Sequence, residues 1–209
     1  HYDHTGGIPH LLELKPTLPV YCHPGIRQIR YSIRDATPKD ISVPPESSYA
    51  LDRMPAENLH FVEESLHLSE NLLLSGPIPR QTDYEDTGGP FFLDIDALQP
   101  DPLNDELVLL CSLAEGIVVC TGCSHSGIVN ILHWTRKRFP GKDILAVIGG
   151  FHLVNASEER MRKTFDALRK LPVRQWVPCH CTREAATEAF FREFPGKVCS
   201  GAAGRCFDF

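Results

Sequence analysis

The chain has no apolar run approaching the length of a membrane span, and its start carries no signal-peptide pattern. Basic residues are not in excess either: 21 Lys and Arg stand against 27 Asp and Glu, giving a net charge of −6 and a pI near 5.9. That balance argues against non-specific binding to a nucleic-acid backbone. No internal repeat or low-complexity tract is present, which removes repeat architectures from consideration. Eight cysteines are present, but they lack the framing of a small secreted disulfide scaffold, and several fall inside apolar strands. Reduced thiols in a cytoplasmic protein are the simpler account. What remains is a chain of 209 residues, 42% hydrophobic and 23% charged, which suits a single domain over 1–209 with a substantial core.

The densest chemistry lies at the start, in His1-Tyr2-Asp3-His4-Thr5-Gly6-Gly7. Two imidazoles and a carboxylate within four positions suit a borderline divalent metal such as zinc, and the glycines allow a sharp bend into the next element. A purification remnant is the competing reading. An Asp between the histidines, running straight into Thr-Gly-Gly and an apolar helix, argues against it.

Along the chain, Ile8–Leu14 reads as a short helix and residues 19–24 as a strand closed by proline. Residues 35–57, with four prolines among Ser, Asp and Glu, read as a long surface loop, and Gln81–Asp105 as another; loops of such length often form lids. Two strands are expected within residues 59–74. Residues 106–111 and 117–120 read as a hairpin, followed by a helix over residues 127–138. Ile144–Ile148 suits a strand buried on both faces. A helix opening near Ser157, a strand over 175–178, a helix over 184–194 and a last strand near 205–209 complete a layered α/β pattern.

Three later histidines share one structural address, each just beyond an expected strand. His125 lies in Thr121-Gly122-Cys123-Ser124-His125-Ser126-Gly127, His152 in Gly149-Gly150-Phe151-His152-Leu153, and His180 in Cys179-His180-Cys181-Thr182. In open α/β sheets, ligands bind outside the carboxyl ends of the strands, so these side chains can converge on one metal site from rigid supports. Any one alone is an ordinary hydrogen-bonded histidine. The rival is a four-thiolate site from Cys120-x-x-Cys123 and Cys179-x-Cys181. Cys120 sits within a strand and the second pair is too closely spaced, so the thiols are assigned to packing near the pocket. Variants at Cys123 and Cys181 are accordingly expected to keep metal.

The opening motif resembles the His-x-His-x-Asp-His metal motif of the metallo-β-lactamase superfamily. His1, Asp3 and His4 match its second His, its Asp and its last His. The first His would fall two residues upstream, and no Met opens the chain, so the resemblance implies the C-terminal part of a longer protein whose first strands are missing. Pro19–Tyr31, Gly76–Arg80, Asn104–Leu107, Thr121–Leu132, Ile148–Leu153 and Pro178–Thr182 resemble a narrower branch. That branch is the 7,8-dihydropterin-6-methyl-4-(β-D-ribofuranosyl)aminobenzene-5′-phosphate synthase-like proteins. Its most specific marks are the Gly122–Asn130 stretch and Gly149-Gly150-Phe151-His152-Leu153. Arg183 departs from it, standing where the branch usually has Gly. The acid that bridges two metals in many superfamily members would fall near Gly149-Gly150, where no carboxylate stands; His152 is left as ligand or substrate contact.

The resemblance implies a four-layer αβ/βα fold with a dinuclear site. One divalent ion would take the absent His, His1 and His125, and the other Asp3, His4 and His180. Zinc leads, with manganese and iron open. Such a pair generates a nucleophilic hydroxide near neutral pH, which Asp3 would orient, with His152 as the second catalytic residue. Arg80 and His152 are candidate contacts to an anionic small molecule, and His23 is a possible pocket residue. Glu85, Asp105 and Glu106 are candidates to order loops near the site, with a solvated acidic surface as the default for each. The leading expectation is a metal-dependent hydrolase of an ester or phosphoester. The runner-up is a transferase joining a dihydropterin to an aminobenzene ribosyl phosphate, and a third reading is an inactive fragment or metal-binding subunit.

Overall fold

The computed structural model describes residues 1–209, which divide into two compact units. One comprises His1–Glu64 with Gly89–Asp105, and the other Ser65–Gly88 with Glu106–Phe209. No helix is long and apolar enough to cross a membrane.

In the first unit, the opening residues form a single helical turn, Tyr2–Thr5, followed by the expected helix Ile8–Leu14. The His1 carbonyl accepts from the amides of His4 and Thr5 and from the Thr5 hydroxyl, which winds the turn tightly. Val20–Cys22 pairs in parallel with Leu59–Phe61. Residues 35–57 are not the loop expected. Tyr31–Arg34 and Thr37–Asp40 form an antiparallel hairpin, and Pro45–Asp52 is a helix. The hairpin turn is Asp35-Ala36, both at positive φ (48° and 55°), the backbone of a type I′ turn without the usual glycine. Pro45 opens the helix at a position where a missing N–H does no harm, and Ser47 and Leu51, four apart, are its buried residues.

Phe91–Phe92 adds a third strand to the hairpin, inside the second expected loop. A small core of Ile41, Phe91 and Leu103 lies in this unit. Beside it, Arg30 is 7% exposed and donates to Asp101 at 2.6 Å and to Asp105 at 2.7 Å. Asp105 is therefore one of three members of a largely buried ion-pair network, not a solvated acid. Asp101 also accepts from the Leu103 amide, so charge pairing and backbone satisfaction meet on one carboxylate.

The second unit is built on a six-stranded mixed sheet. Its order is Val173–Cys179, Ile144–Gly150, Ile117–Thr121, Val108–Ser112, Leu72–Leu74, Leu66–His67. The first three strands run parallel and the remaining pairings are antiparallel. Helices Ile128–Arg138, Glu158–Leu168 and Arg183–Glu193 follow the three parallel strands. The main core includes Val119, Val147 and Trp176 from these strands, with Ile131, Leu168 and Phe190 from the helices. A second cluster, Val118, Leu145 and Ala146, is also buried, in line with the continuous apolar run. The register shifts between Ile144 and Ala146, so the extra residue lets Ile144 and Val147, an odd three apart, join the same core.

No strand forms over residues 205–209. The segment that continues the sheet lies earlier: Trp176 donates to Lys197 at 2.7 Å and Cys199 donates to Trp176 at 3.0 Å. Asp101→Ala should destabilise the protein by about 3 kcal/mol, because it removes one of the two carboxylates that compensate a buried guanidinium and the acceptor of the Leu103 amide. Chemical denaturation checks this, with Asp96→Ala, an exposed carboxylate of the same unit, as the control.

Candidate metal centre

The registers Thr121 with Gly149, Gly149 with Pro178 and Gly150 with Cys179 bring the carboxyl ends of the three parallel strands level. His125, His152 and His180 lie four, two and one residues beyond those ends, as the sequence pattern anticipates. The ligand atoms of Cys123, His125 and His152 lie within 4.8 Å of one another, and those of Cys123 and His180 do likewise. The rings of His125 and His152 are 4.3 Å apart between centroids. In the first unit, Asp3 and His4 share the opening helical turn, with carboxylate and imidazole 3.8 Å apart, and the His1 ring lies against Phe91.

The three loops are tied to each other. Ser124 is fully buried, and its hydroxyl donates to the Gly150 carbonyl at 2.7 Å. The Gly150 amide donates to Gly122 at 2.8 Å, and the Phe151 amide to the Thr182 hydroxyl at 2.9 Å. Backbone strain collects at the same edge: Ser124, His152, His180 and Arg183 all have positive φ, between 42° and 62°. Each such residue costs roughly 1–3 kcal/mol and persists where its surroundings over-determine it, commonly at functional sites.

Residues 81–88 supply the support. Both Gln81 and Thr82 donate to Asn130 Oδ1, at 2.8 and 3.0 Å. Glu85 accepts from the amides of Val129 and Asn130, both at 2.9 Å, at the start of the helix after His125. A Cβ on Gly127 would lie 2.4 Å from the Glu85 carboxyl, and Gly127 also has a φ of 96°, so no other residue fits there. Thr87 places its carbonyl 2.8 Å from His125 Nδ1. With the Nδ1 proton directed there, the lone pair falls on Nε2, the tautomer a metal-binding imidazole requires. Residues 81–88 are thus strapped down, which a lid cannot be.

Glu106 accepts from the His125 and Ser126 amides at 2.8 and 2.9 Å and from the Ser126 hydroxyl. Arg80 donates to the His125 carbonyl at 2.6 Å. Glu85 and Glu106 are therefore structural clamps, contrary to the solvated default, and Arg80 positions the histidine loop. Burial pushes both carboxyls above their ordinary range, opposed by the hydrogen bonds they accept, and pushes the Arg80 guanidinium below its own. Ordering of loops near the site is the alternative that the sequence leaves open to both acids, and it is the one the hydrogen bonds support. His23 turns out to cap its own helical turn, accepting from the Gly25 amide at 3.0 Å.

None of the eight cysteines is in a disulfide. Cys181 is buried, and its thiol is pulled down to about 5, first by a hydrogen bond with the Cys123 side chain, against burial, with His152 adding to the effect. The same sulfur also lies 3.7 Å from the Cys123 carbonyl, a contact open to the protonated thiol.

A mixed sheet with imidazoles and a thiol gathered at the carboxyl ends of its parallel strands, and the other donors on a tight opening turn, has the composition of a metal-dependent α/β enzyme. No protein-family model matches the chain. Among curated proteins, a 7,8-dihydropterin-6-methyl-4-(β-D-ribofuranosyl)-aminobenzene-5′-phosphate synthase of Methanocaldococcus jannaschii is 28% identical over 208 residues, 93% of this chain and 67% of its own. An uncharacterised protein of the same organism is 30% identical over 185 residues, 87% of this chain and 66% of its own. The chain thus spans about two thirds of the length of these relatives. A crystal structure of a metal-dependent hydrolase of the β-lactamase superfamily matches with a TM-score of 0.78 at 32% identity, over 91% of this chain and 71% of that one. The chain belongs to the metallo-β-lactamase superfamily, and its mixed α/β fold is the one the opening motif implied.

Two outcomes follow from the supports. Glu85→Gln replaces one of two acceptor oxygens with a donor facing an amide, and should cost about 1–3 kcal/mol. Because burial raises the Glu85 pKa, the folded state holds that proton more tightly than the unfolded chain. Its contribution is present below the ordinary carboxylate pKa and is lost as pH rises through the raised value; the variant should lack that segment of the stability–pH curve. Arg183, exposed and at φ 62° and ψ 170°, occupies a conformation glycine adopts without penalty. Arg183→Gly should therefore stabilise the protein by about 1 kcal/mol in thermal or chemical melts, strain relief exceeding the added chain entropy.

Proposed function

We propose that the protein is a metal-dependent enzyme that hydrolyses an ester or phosphoester bond in a small anionic molecule. The observation that most supports this is the fixed His125 imidazole, its Nδ1 directed to the Thr87 carbonyl, beside further donors at the carboxyl edge of the parallel strands. Two divalent ions are assigned, one to His1 and His125, the other to Asp3, His4 and His180. This pairing is carried by the resemblance of the opening motif. Nitrogen and carboxylate donors suit zinc first, with manganese and iron as alternatives. Such ions supply polarisation of water and neutralisation of substrate charge. Asp3 orients the attacking water, while His152 and Arg80 contact the anionic group of the substrate.

A second reading is a synthase-type transfer joining a dihydropterin to an aminobenzene ribosyl phosphate, and the name of the M. jannaschii relative favours it. Such a condensation must exclude water from the reacting centre, which calls for a closing element. The strapping of residues 81–88 weighs for hydrolysis, since the segment available as a lid is shortened.

Elemental analysis of metal-loaded protein should give about two ions per chain, with His125→Ala and His180→Ala each losing about one. Phosphodiester and phosphomonoester reporters should reveal cleavage that His125→Ala lowers by about 100-fold or more, equivalent to several kcal/mol of transition-state stabilisation. A dihydropterin pyrophosphate with an aminobenzene acceptor tests the second reading; condensation without ester cleavage would replace the first.

A further inference from the structure

The sulfur of Cys123 belongs to both donor groupings of the second unit. It lies within 4.8 Å of ligand nitrogens of His125 and His152, and separately of His180. A cysteine offers one ligand atom, so the same atom is within reach of all three imidazoles. Cys123 is 4% exposed. The residues on either side of it are pinned, Gly122 by the Gly150 amide and Ser124 by the Gly150 carbonyl.

No other anionic donor can reach this point from the neighbouring strand end. A Cβ on Gly150 would lie 2.4 Å from the Cys181 sulfur and 2.8 Å from the Gly122 carbonyl oxygen. A Cβ on Gly149 would lie 2.1 Å from the Thr121 carbonyl oxygen. Any side chain at either position, a carboxylate included, would force the backbone apart. The glycine pair keeps a carboxylate off this strand end, and Cys123 places an acid-forming thiol beside the three histidines. A sulfur buried solely as apolar filler would have no reason to face three imidazoles, which are poor apolar company.

We propose that Cys123 is a metal ligand, its sulfur placed within reach of an ion that His125 would hold and of one that His180 would hold. This rests on the two-ion reading above. On binding, the thiol proton passes to solvent and a sulfur–metal bond forms in its place, with no change of oxidation state. A mixed nitrogen and sulfur set favours zinc or cobalt over manganese and magnesium, so the centre selects thiophilic ions. The assignment of Cys123 to packing, which its sequence context suggests, is replaced by this one.

The test uses the whole chain loaded with zinc or cobalt. X-ray absorption of the zinc-loaded wild type should show a sulfur neighbour at about 2.3 Å, and the cobalt form a near-ultraviolet thiolate-to-cobalt charge-transfer band. Cys123→Ser should abolish the band and weaken cobalt binding by at least about tenfold, the smallest loss usual for residues that support a metal site. Cys181→Ser should keep the band. The wild-type absorption measurement stands even if Cys123→Ser fails to fold. Full metal with only nitrogen and oxygen neighbours, or a band lost with Cys181→Ser and kept with Cys123→Ser, overturns the proposal while leaving the two-ion reading intact. Absence of bound metal overturns both.

Discussion

Two carboxylates with no catalytic signature hold the segment that carries His125. Glu106 takes the amides of His125 and Ser126, and Glu85 takes those of Val129 and Asn130, so two pairs of amides, one before and one within the first turn of the helix, are each held by one carboxylate. The Val129 and Asn130 N–H groups are among those the helix leaves unsatisfied, at its positive end, which favours negative charge. Ordinarily a Ser or Asp at the cap would serve one of them. Here Gly127 occupies the cap and has no side chain to offer, which hands the role to Glu85 from a distant segment. The consequence is functional. A local cap would fix the helix alone, whereas Glu85 also fixes the 81–88 strap, whose Thr87 carbonyl sets the His125 ring.

The same economy of distance governs the other two histidines. His180 is the first residue beyond its strand and His152 the second beyond Gly150, so neither has slack chain with which to relax. Positive φ at both is the result. A longer loop would remove the strain but leave each imidazole free to swing, and a shift of about 1 Å is enough to degrade a catalytic constellation. The cross-links from Ser124 and Thr182 to the Gly150–Phe151 backbone hold the strained forms in place.

Where a physical signal repeated along the chain, the sequence was readable. The apolar strand 144–150, the helices over 128–138, 158–168 and 183–193, and the placement of three histidines beyond strand ends all follow from periodicity and order. Thr37–Asp40 was not readable, because all four residues are exposed and one is proline; pairing with Tyr31–Arg34 alone makes it a strand. Helix 45–52 buries two residues, too few to give a stripe, and its prolines resemble a loop until Pro45 is seen as a first-turn residue. Phe91–Phe92 is a two-residue strand. Burial of Glu85, Glu106 and the Arg30–Asp101 pair depends on partners tens of residues away, so residue type alone gives the wrong default.

The cysteines divide by the same logic of surroundings. Burial pushes the thiols of Cys22, Cys120 and Cys179 up, with neighbouring thiols adding to the rise at Cys120 and Cys179. Those are the conditions of inert filler, and the half-buried sheet positions of Cys111 and Cys120, packed against Val118 and Leu145, agree. Cys181 and Cys123 differ because their neighbours are imidazole and backbone carbonyl, not methyl groups. Spacing in the sequence pairs Cys120 with Cys123 and Cys179 with Cys181. The strand geometry separates each pair instead, since Cys120 and Cys179 are still within strands, while Cys123 and Cys181 lie beyond them. One member of each motif therefore belongs to the sheet and the other to the site. The four thiols fall in no common grouping of ligand atoms, which weighs against a four-thiolate zinc knuckle.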